Sequence, residues 1–301
     1  MNAIEITGLT KKYGDYKAVD ELSFNVESGT MIGFLGVNGA GKSTTINMLS
    51  TILKPDDGEA LINGCRLGRE DMEIRRSIGV VYQQNVLDDS LSVRENIAVR
   101  AGLRGIGREE FIGRLSDVTD LLDLGDILNK KYKILSGGQK RRCEIAAALI
   151  HAPHILFLDE PTTGLDPATR IEVWNAVSSL RADRNMTVFL TTHYMEEAAC
   201  ADKIVIIDKG RKLSEGTPFE LKEKFARDRI RLYFESQAAD TVKDVIKDKG
   251  YIAQPYGADV YINNSFESID ICSRLQGTIS GFEVIQGNMD DVFINVTRED
   301  R

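Results

Sequence analysis

No apolar run approaches the roughly 18 residues that span a bilayer, which excludes a membrane-crossing chain. The opening residues, Met1-Asn2-Ala3-Ile4-Glu5, lack the charged and apolar regions of a secretory signal, so the expected compartment is the cytosol. Cysteine is scarce. Cys65, Cys143, Cys200 and Cys272 are scattered with no C-x-x-C pair and no histidine close by. That excludes a disulfide framework or a cysteine–histidine zinc site and leaves reduced thiols of no special role. Basic residues are outnumbered, 38 Lys and Arg against 46 Asp and Glu, for a formal charge of −8. Such a balance speaks against nucleic acid as a bulk electrostatic partner, leaving room only for a local basic patch. Low-complexity tracts and internal repeats are absent too, so neither a disordered chain nor a solenoid is expected.

What is present is an ordinary soluble composition, 42% hydrophobic and 28% charged, in 301 residues. Two domains are expected from that length. The strongest local signal is Gly36-Val37-Asn38-Gly39-Ala40-Gly41-Lys42-Ser43-Thr44. It follows an apolar run, Met31-Ile32-Gly33-Phe34-Leu35, that reads as a buried strand, and precedes Thr45 to Leu49, whose spacing suits a helix. This is the G-x-x-x-x-G-K-S/T phosphate loop in its required strand-to-helix setting. Its glycines let successive backbone N–H groups turn around a phosphate, and the helix adds the positive end of its dipole. Lys42 would reach the outer phosphates and the Ser43 hydroxyl would ligate Mg²⁺. A glycine-rich turn met by chance is the weaker reading.

Ile4 to Leu9 and Leu22 to Val26 alternate as strands around a turn-rich segment, Lys11 to Tyr16. Tyr13 just upstream of the phosphate loop either stacks on a nucleotide base or packs the hairpin. Short strands follow at Glu59 to Ile62 and Ile78 to Val81, the latter running into Tyr82-Gln83-Gln84-Asn85. From about Ser90 to Ile150 helix-periodic segments take over: Val93 to Ala101, Glu109 to Leu124, and Gly137 to Ile150. Strands resume at His154 to Leu158, Thr187 to Leu190 and Lys203 to Ile207, with helices Pro167 to Leu180 and Tyr194 to Ala201 between them. The fold class is therefore α/β, a covered parallel sheet carrying a helical insert.

Within the insert lies Leu135-Ser136-Gly137-Gly138-Gln139. Ser136 and Gln139 make a capping box, which explains the serine and glutamine but not the glycines. Two glycines in a first turn cost roughly 1 kcal/mol each at most in helix propensity. They make sense if something approaches the backbone there, an anion at a helix N-terminus being the natural candidate. Lys140, Arg141 and Arg142 either reinforce that positive field or are solvated.

An apolar strand then delivers Asp159-Glu160-Pro161 at its C-terminal end, where ligands bind in open α/β sheets. Asp159 fits a Mg²⁺ site, and Glu160 is placed to orient or deprotonate an attacking water; alone, the trio is an ordinary turn. Asp166 and Pro167 are N-cap and first residue of the next helix, a sufficient structural role. His193, ending Thr191-Thr192-His193 on the same sheet edge, is a credible γ-phosphate contact.

Together these residues resemble the nucleotide-binding subunit of an ATP-binding cassette (ABC) transporter over roughly residues 1 to 220, with the helical subdomain at about 90 to 150. The resemblance implies ATP as substrate and Mg²⁺ as cofactor. It implies that Tyr13 is the base-stacking aromatic, Gly36 to Thr44 the phosphate loop, and Asp159 the metal-site carboxylate. By the same likeness Gln83 contacts Mg²⁺ and water and senses the membrane subunit, Glu160 is the catalytic base, Asp166 communicates between subunits, and His193 is the switch histidine. A head-to-tail homodimer is implied too, in which Ser136, Gly137, Gly138 and Gln139 of one copy close on the γ-phosphate held by the other. The partner would be a membrane-spanning transporter subunit, placing the chain on the inner face of the cell membrane. Val37 and Thr163 depart from common family choices without removing a phosphate-facing atom.

The tail, from about 221 to 301, reads β-α-β-β-α-β: strands Arg229 to Phe234, Ile252 to Tyr256, Val260 to Asn263 and Phe282 to Ile285, helices Thr241 to Lys249 and Ser268 to Leu275. That order suggests a ferredoxin-like sandwich. Its end, Met289-Asp290-Asp291-Val292-Phe293-Ile294-Asn295-Val296, is similar to the terminus of daunorubicin-resistance-type exporter subunits, which favours export of a drug, peptide, polysaccharide or lipid-like substrate. The rival functions are a non-transport ABC ATPase acting on nucleic acid or ribosomes, and a small-molecule kinase. The first usually carries a long coiled-coil insertion or two cassettes, and the second leaves Ser136 to Gln139 unexplained.

Overall fold

The computed structural model describes residues 1–184, 186–263 and 265–299. The chain divides into two compact units, Met1–Glu215 and Gly216–Arg301. In the first, β1 (Asn2–Tyr13) and β2 (Tyr16–Glu27) form a long antiparallel hairpin. Then come β3 (Met31–Leu35), α1 (Lys42–Leu49), β4 (Asp57–Ile62), β5 (Cys65–Arg66), α2 (Asp71–Ser77) and β6 (Ile78–Val81). Helices α3 (Val93–Leu103), α4 (Arg108–Leu121) and α5 (Gly137–Leu149) make up the helical insert. The sheet resumes with β7 (Ile155–Asp159), α6 (Pro167–Arg184), β8 (Thr187–Thr192), α7 (Met195–Ala198), β9 (Lys203–Asp208) and β10 (Arg211–Gly216).

These strands build two sheets. One has the order β2-β1-β4-β5, and the other β10-β9-β3-β8-β7-β6, in which β9, β3, β8, β7 and β6 run parallel. Every residue of β3, β7 and β8 is buried, as continuous apolar strands of a sheet covered on both faces should be. Aromatic side chains join the two sheets. Phe24 of β2 meets Phe34 of β3 at 5.4 Å, and Phe189 of β8 lies 5.3 Å from both Phe34 and Phe157. Tilted pairs at this distance add about 0.5–1.5 kcal/mol each beyond the area they bury.

The hairpin corrects the sequence reading. Lys11 to Tyr16 is not a loop, because pairing continues through Lys12↔Lys17 to Tyr13↔Tyr16 and leaves only Gly14-Asp15 as the turn. The Asp56 carboxylate holds that polar end of β1 in place, accepting from Lys12 N at 2.7 Å and Lys11 Nζ at 3.0 Å. Helix α7 is shorter than expected, and α2 and β10 were not anticipated.

The second unit comprises α8 (Pro218–Phe225), β11 (Asp228–Tyr233), α9 (Ala239–Ile246), β12 (Tyr251–Gln254), β13 (Gly257–Ile262), α10 (Ser265–Arg274), β14 (Gly281–Ile285) and α11 (Met289–Glu299). Its antiparallel sheet has the order β12-β13-β11-β14, the ferredoxin-like arrangement. Ile230, Leu232 and Val260 of the sheet pack with Val242, Ile246, Ile271 and Leu275. The β12–β13 turn falls at Pro255-Tyr256, so Tyr256 is not in a strand; Pro255 has no N–H to give the ladder. The exporter-like ending folds as α11, burying Met289, Val292 and Val296 at helical spacing.

Candidate nucleotide site

Sheet register sets the site. Leu35 of β3 lies beside Thr192 of β8, and Asp159 of β7 beside Thr191. The chain segments that leave these three strands therefore emerge side by side at the carboxyl edge of the sheet. They carry the phosphate loop, Glu160 and His193.

The phosphate loop enters α1 through Gly41 at φ 107, a left-handed value that an L side chain rarely adopts. Lys42 folds back over the loop, its ammonium donating to Gly36 O at 2.7 Å and Val37 O at 3.2 Å. It is 5% exposed and stands 3.2 Å from Glu160 Oε1, itself 7% exposed. Ser43 Oγ donates to Asp159 Oδ1 at 3.3 Å, and Thr191 Oγ1 donates to the same oxygen at 2.6 Å.

Glu160 sits at φ 45, the sparsely populated left-handed region. Its backbone N–H is held by Thr191, bonded to both O and Oγ1 at 3.1 Å. Around Glu160 Oε2 gather Gln83 Nε2 at 3.1 Å, Thr163 Oγ1 at 3.1 Å and His193 Nδ1 at 3.2 Å. Burial by itself would raise the pKa of Glu160, but the Lys42 ammonium and then His193 outweigh it and hold the carboxyl below its usual range. Glu160 is therefore an anion at neutral pH.

An open cavity of about 660 Å³ lies over this cluster. Tyr13, Asn38, Gly39, Gly41, Lys42, Ser43, Thr44, Gln83, Glu160 and His193 line it. Gly36, Ala40 and Asp159 do not line it; Asp159 is hydrogen-bonded to Ser43, which does. Tyr16 was missed: it lines the same cavity and donates its hydroxyl to Gly39 O at 3.3 Å. The cross-strand pair Tyr13↔Tyr16 is the signal that would have found it. No carboxylate-holding role for Thr163 or Thr191 was legible in the sequence, because which group a threonine hydroxyl meets is set by the fold.

Ser136 to Gln139 does not line this cavity, nor does Asp166. Ser136 Oγ accepts from Gln139 N at 3.3 Å and Gln139 Oε1 accepts from Ser136 N at 3.1 Å, the expected capping box. The second glycine also has a packing reason that the sequence did not show. A Cβ on Gly138 would lie 2.0 Å from Thr169 Cγ2, so a neighbouring side chain of the same chain crowds that backbone. Ser136 and Gly137 are exposed. Asp166 caps α6 through Thr169, accepting from its N at 3.1 Å and its Oγ1 at 2.5 Å. These bonds hold the Asp166 carboxyl below its usual range. Nor is Arg141 solvated: it is 4% exposed, and its guanidinium donates to the carbonyls of Pro161, Tyr82 and Asp159 at 2.6, 2.5 and 3.1 Å. Burial pushes its pKa down to about 10, still cationic at neutral pH.

Residues 19–163 match the family model described as ABC transporter. The daunorubicin/doxorubicin resistance ATP-binding protein DrrA of Streptomyces peucetius is 38% identical over 98% of this chain and 92% of its own length. The chain belongs to the ABC transporter ATP-binding family. It is an ATP-binding and ATP-hydrolysing protein of that family, with the α/β fold expected of it. The Nod factor export ATP-binding protein I of Rhizobium sp. (strain N33) is 41% identical over 74% of this chain and 73% of its own. Among solved structures, the dimeric post-hydrolysis state of the ATP-binding cassette MJ0796 bound to ADP and Pi superimposes with a TM-score of 0.65 at 29% identity, covering 71% of this chain and 98% of that one.

Proposed function

We propose that this ABC ATPase powers a separate membrane-spanning export partner, working as a head-to-tail homodimer with two composite ATP sites. The observation that carries the site assignment is the convergence of Lys42, Glu160 and His193 from the ends of three adjacent parallel strands on one cavity, with Asp159 hydrogen-bonded to Ser43 of its lining. The phosphate-loop amides and the Lys42 ammonium hold the outer phosphates, and Tyr13 stacks on the base. The Glu160 carboxylate accepts a proton from the attacking water, positioned by Gln83, while His193 contacts the γ-phosphate.

The oxygens of Ser43 and Asp159, 3.3 Å apart, and the amide of Gln83 are hard donors. They suit Mg²⁺, which takes one or two carboxylates plus substrate phosphates rather than an all-protein cage. When bound, Mg²⁺ would offset phosphate charge. Exposed Ser136 and Gly137, at the positive end of α5, are free to meet a phosphate held by a second copy, with Gln139 beside them and Gly138 in the same first turn. Asp166 lies at the start of α6 and communicates between the copies.

No helix among the described residues is long and apolar enough to cross a membrane. In this reading the translocation path belongs to the partner, and this chain docks on its cytoplasmic side. Relatives named for daunorubicin/doxorubicin resistance and for Nod factor export are ATP-binding proteins like this one. That supports a drug-, peptide-, polysaccharide- or lipid-like cargo chosen by the partner, over work on nucleic acid or ribosomes. Glu160→Gln tests the reading. Phosphate release should nearly cease while an ATP-bound dimer accumulates on size exclusion, and wild-type turnover by this variant would refute the assignment.

A further inference from the structure

A further buried carboxylate, besides Asp159 and Glu160, takes no part in the chemistry described so far. Glu197, on α7, is 4% exposed. Both its oxygens are taken up by hydroxyls: Thr162 Oγ1 donates to Oε1, and Thr192 Oγ1 donates to Oε2 at 2.6 Å. Both threonines are fully buried. Thr162 is two residues past Glu160, and its neighbour Thr163 holds Glu160 directly. Thr192 immediately precedes His193, and its oxygen also accepts from Tyr194 N at 2.9 Å. Arg170 of α6 completes the cluster, with Nε 4.0 Å from Glu197 Oε1 and its guanidinium 4.3 Å over the Tyr194 ring. That ring in turn lies 4.2 Å from the His193 ring. Arg170 N donates to the carbonyl of Asp166 at 3.0 Å, so the cluster reaches back to the start of α6.

A buried carboxylate is costly to desolvate, and an apolar side chain would fill the space at lower cost. What an apolar residue cannot do is bind two loops at fixed separation. We propose that Glu197 is a positioning residue: it clamps the loop carrying Glu160 to the loop carrying His193 and ties both to the helix that follows Asp166. This rests on Glu160 and His193 being the groups that act on ATP and water. Glu197 touches neither substrate nor water in this scheme, and its influence passes through Thr162 and Thr192.

The test is steady-state ATP hydrolysis by the full chain with Mg²⁺, reading kcat and KM separately. Glu197→Ala should lower kcat about 10- to 100-fold, the usual effect of misplacing catalytic groups by about 1 Å. KM for ATP should stay within about twofold, because the phosphate loop and Tyr13 are untouched. Glu197→Gln, which can still accept one hydroxyl and donate to the other oxygen, should restore kcat to within about threefold of wild type. In a His193→Ala background, Glu197→Ala should cost less than about threefold more, since residues acting as a unit are not additive. If Glu197→Ala fails to fold, Thr192→Val carries the same comparison. A parallel change in kcat and KM, no rescue by Gln, or full additivity with His193→Ala would overturn the proposal. Loss of turnover in Glu160→Gln with wild-type kcat in Glu197→Ala overturns this proposal alone, whereas normal turnover in Glu160→Gln overturns the site assignment and this proposal with it.

Discussion

Gly138→Ala separates two uses of the glycine in the first turn of α5. Added to the backbone, a Cβ would stand 2.0 Å from Thr169 Cγ2, against an ordinary carbon–carbon contact of about 3.5–4.0 Å. The methyl group cannot swing away freely, because Thr169 Oγ1 is fastened to Asp166 Oδ2 at 2.5 Å and Thr169 N to Asp166 Oδ1. Overpacking of this kind costs about 1–3 kcal/mol, and the better helix propensity of alanine returns at most about 1 kcal/mol. The net loss of about 1–2 kcal/mol corresponds to a Tm lower by about 2–8 °C for a unit of this size. Gly137→Ala is the control: there a Cβ would meet only the mobile end of Leu165 at 3.2 Å. Calorimetry on Gly138→Ala, Gly137→Ala and the double variant Gly138→Ala/Thr169→Ser decides the matter. Serine keeps the hydroxyl that bonds Asp166 and drops the offending methyl, so it should recover at least half of the lost Tm. An unchanged Tm in Gly138→Ala, or no recovery with serine, would refute the packing account and leave the glycine to nucleotide approach alone.

Three further outcomes follow from the site. Glu160 has its pKa held below 4.5 in the folded chain, so the stability it contributes is present above that pH and is lost as pH falls through the lowered value. Lys42→Met removes the nearest cation and leaves burial to raise the Glu160 pKa, so the Glu160 share of the acid limb of Tm against pH should flatten while Tm at neutral pH falls; a limb of unchanged steepness would mean that Lys42 is not what lowers Glu160. Arg141→Lys replaces a guanidinium that reaches three carbonyls by one ammonium, and should cost about 2–4 kcal/mol in urea unfolding, less than about 1 kcal/mol counting against its bracing role. Tyr13→Ala should raise KM for ATP about tenfold with Tyr13→Phe near wild type, as loss of a base stack predicts. If Tyr16→Ala produces that rise instead, the stacking aromatic is Tyr16.

Much of this protein was legible in its sequence because the relevant physics is local. A phosphate loop needs glycine and lysine at set spacings, a capping box needs Ser136 and Gln139 three apart, and buried parallel strands are uninterrupted apolar runs. Pattern therefore determined the α/β class, the ferredoxin-like order of the tail, and the placing of Lys42, Glu160 and His193 after strands of the sheet, whereas the role of Gln83 was implied by the family resemblance alone. Tertiary structure alone decided what depends on partners distant in sequence. Register between β3, β7 and β8 brings Lys42 within 3.2 Å of Glu160 and makes that acid an anion despite its burial. Of the turn-like Lys11 to Tyr16 only Gly14-Asp15 stayed a turn, and Asp56, more than forty residues from Lys12, holds the backbone of that strand end. Arg141 is a buried brace rather than a surface charge, and Gly138 makes room for Thr169, because packing across helices carries no periodic trace in either segment. Glu197 likewise reads as one acid of a helical run until the fold sets Thr162 and Thr192 against its two oxygens.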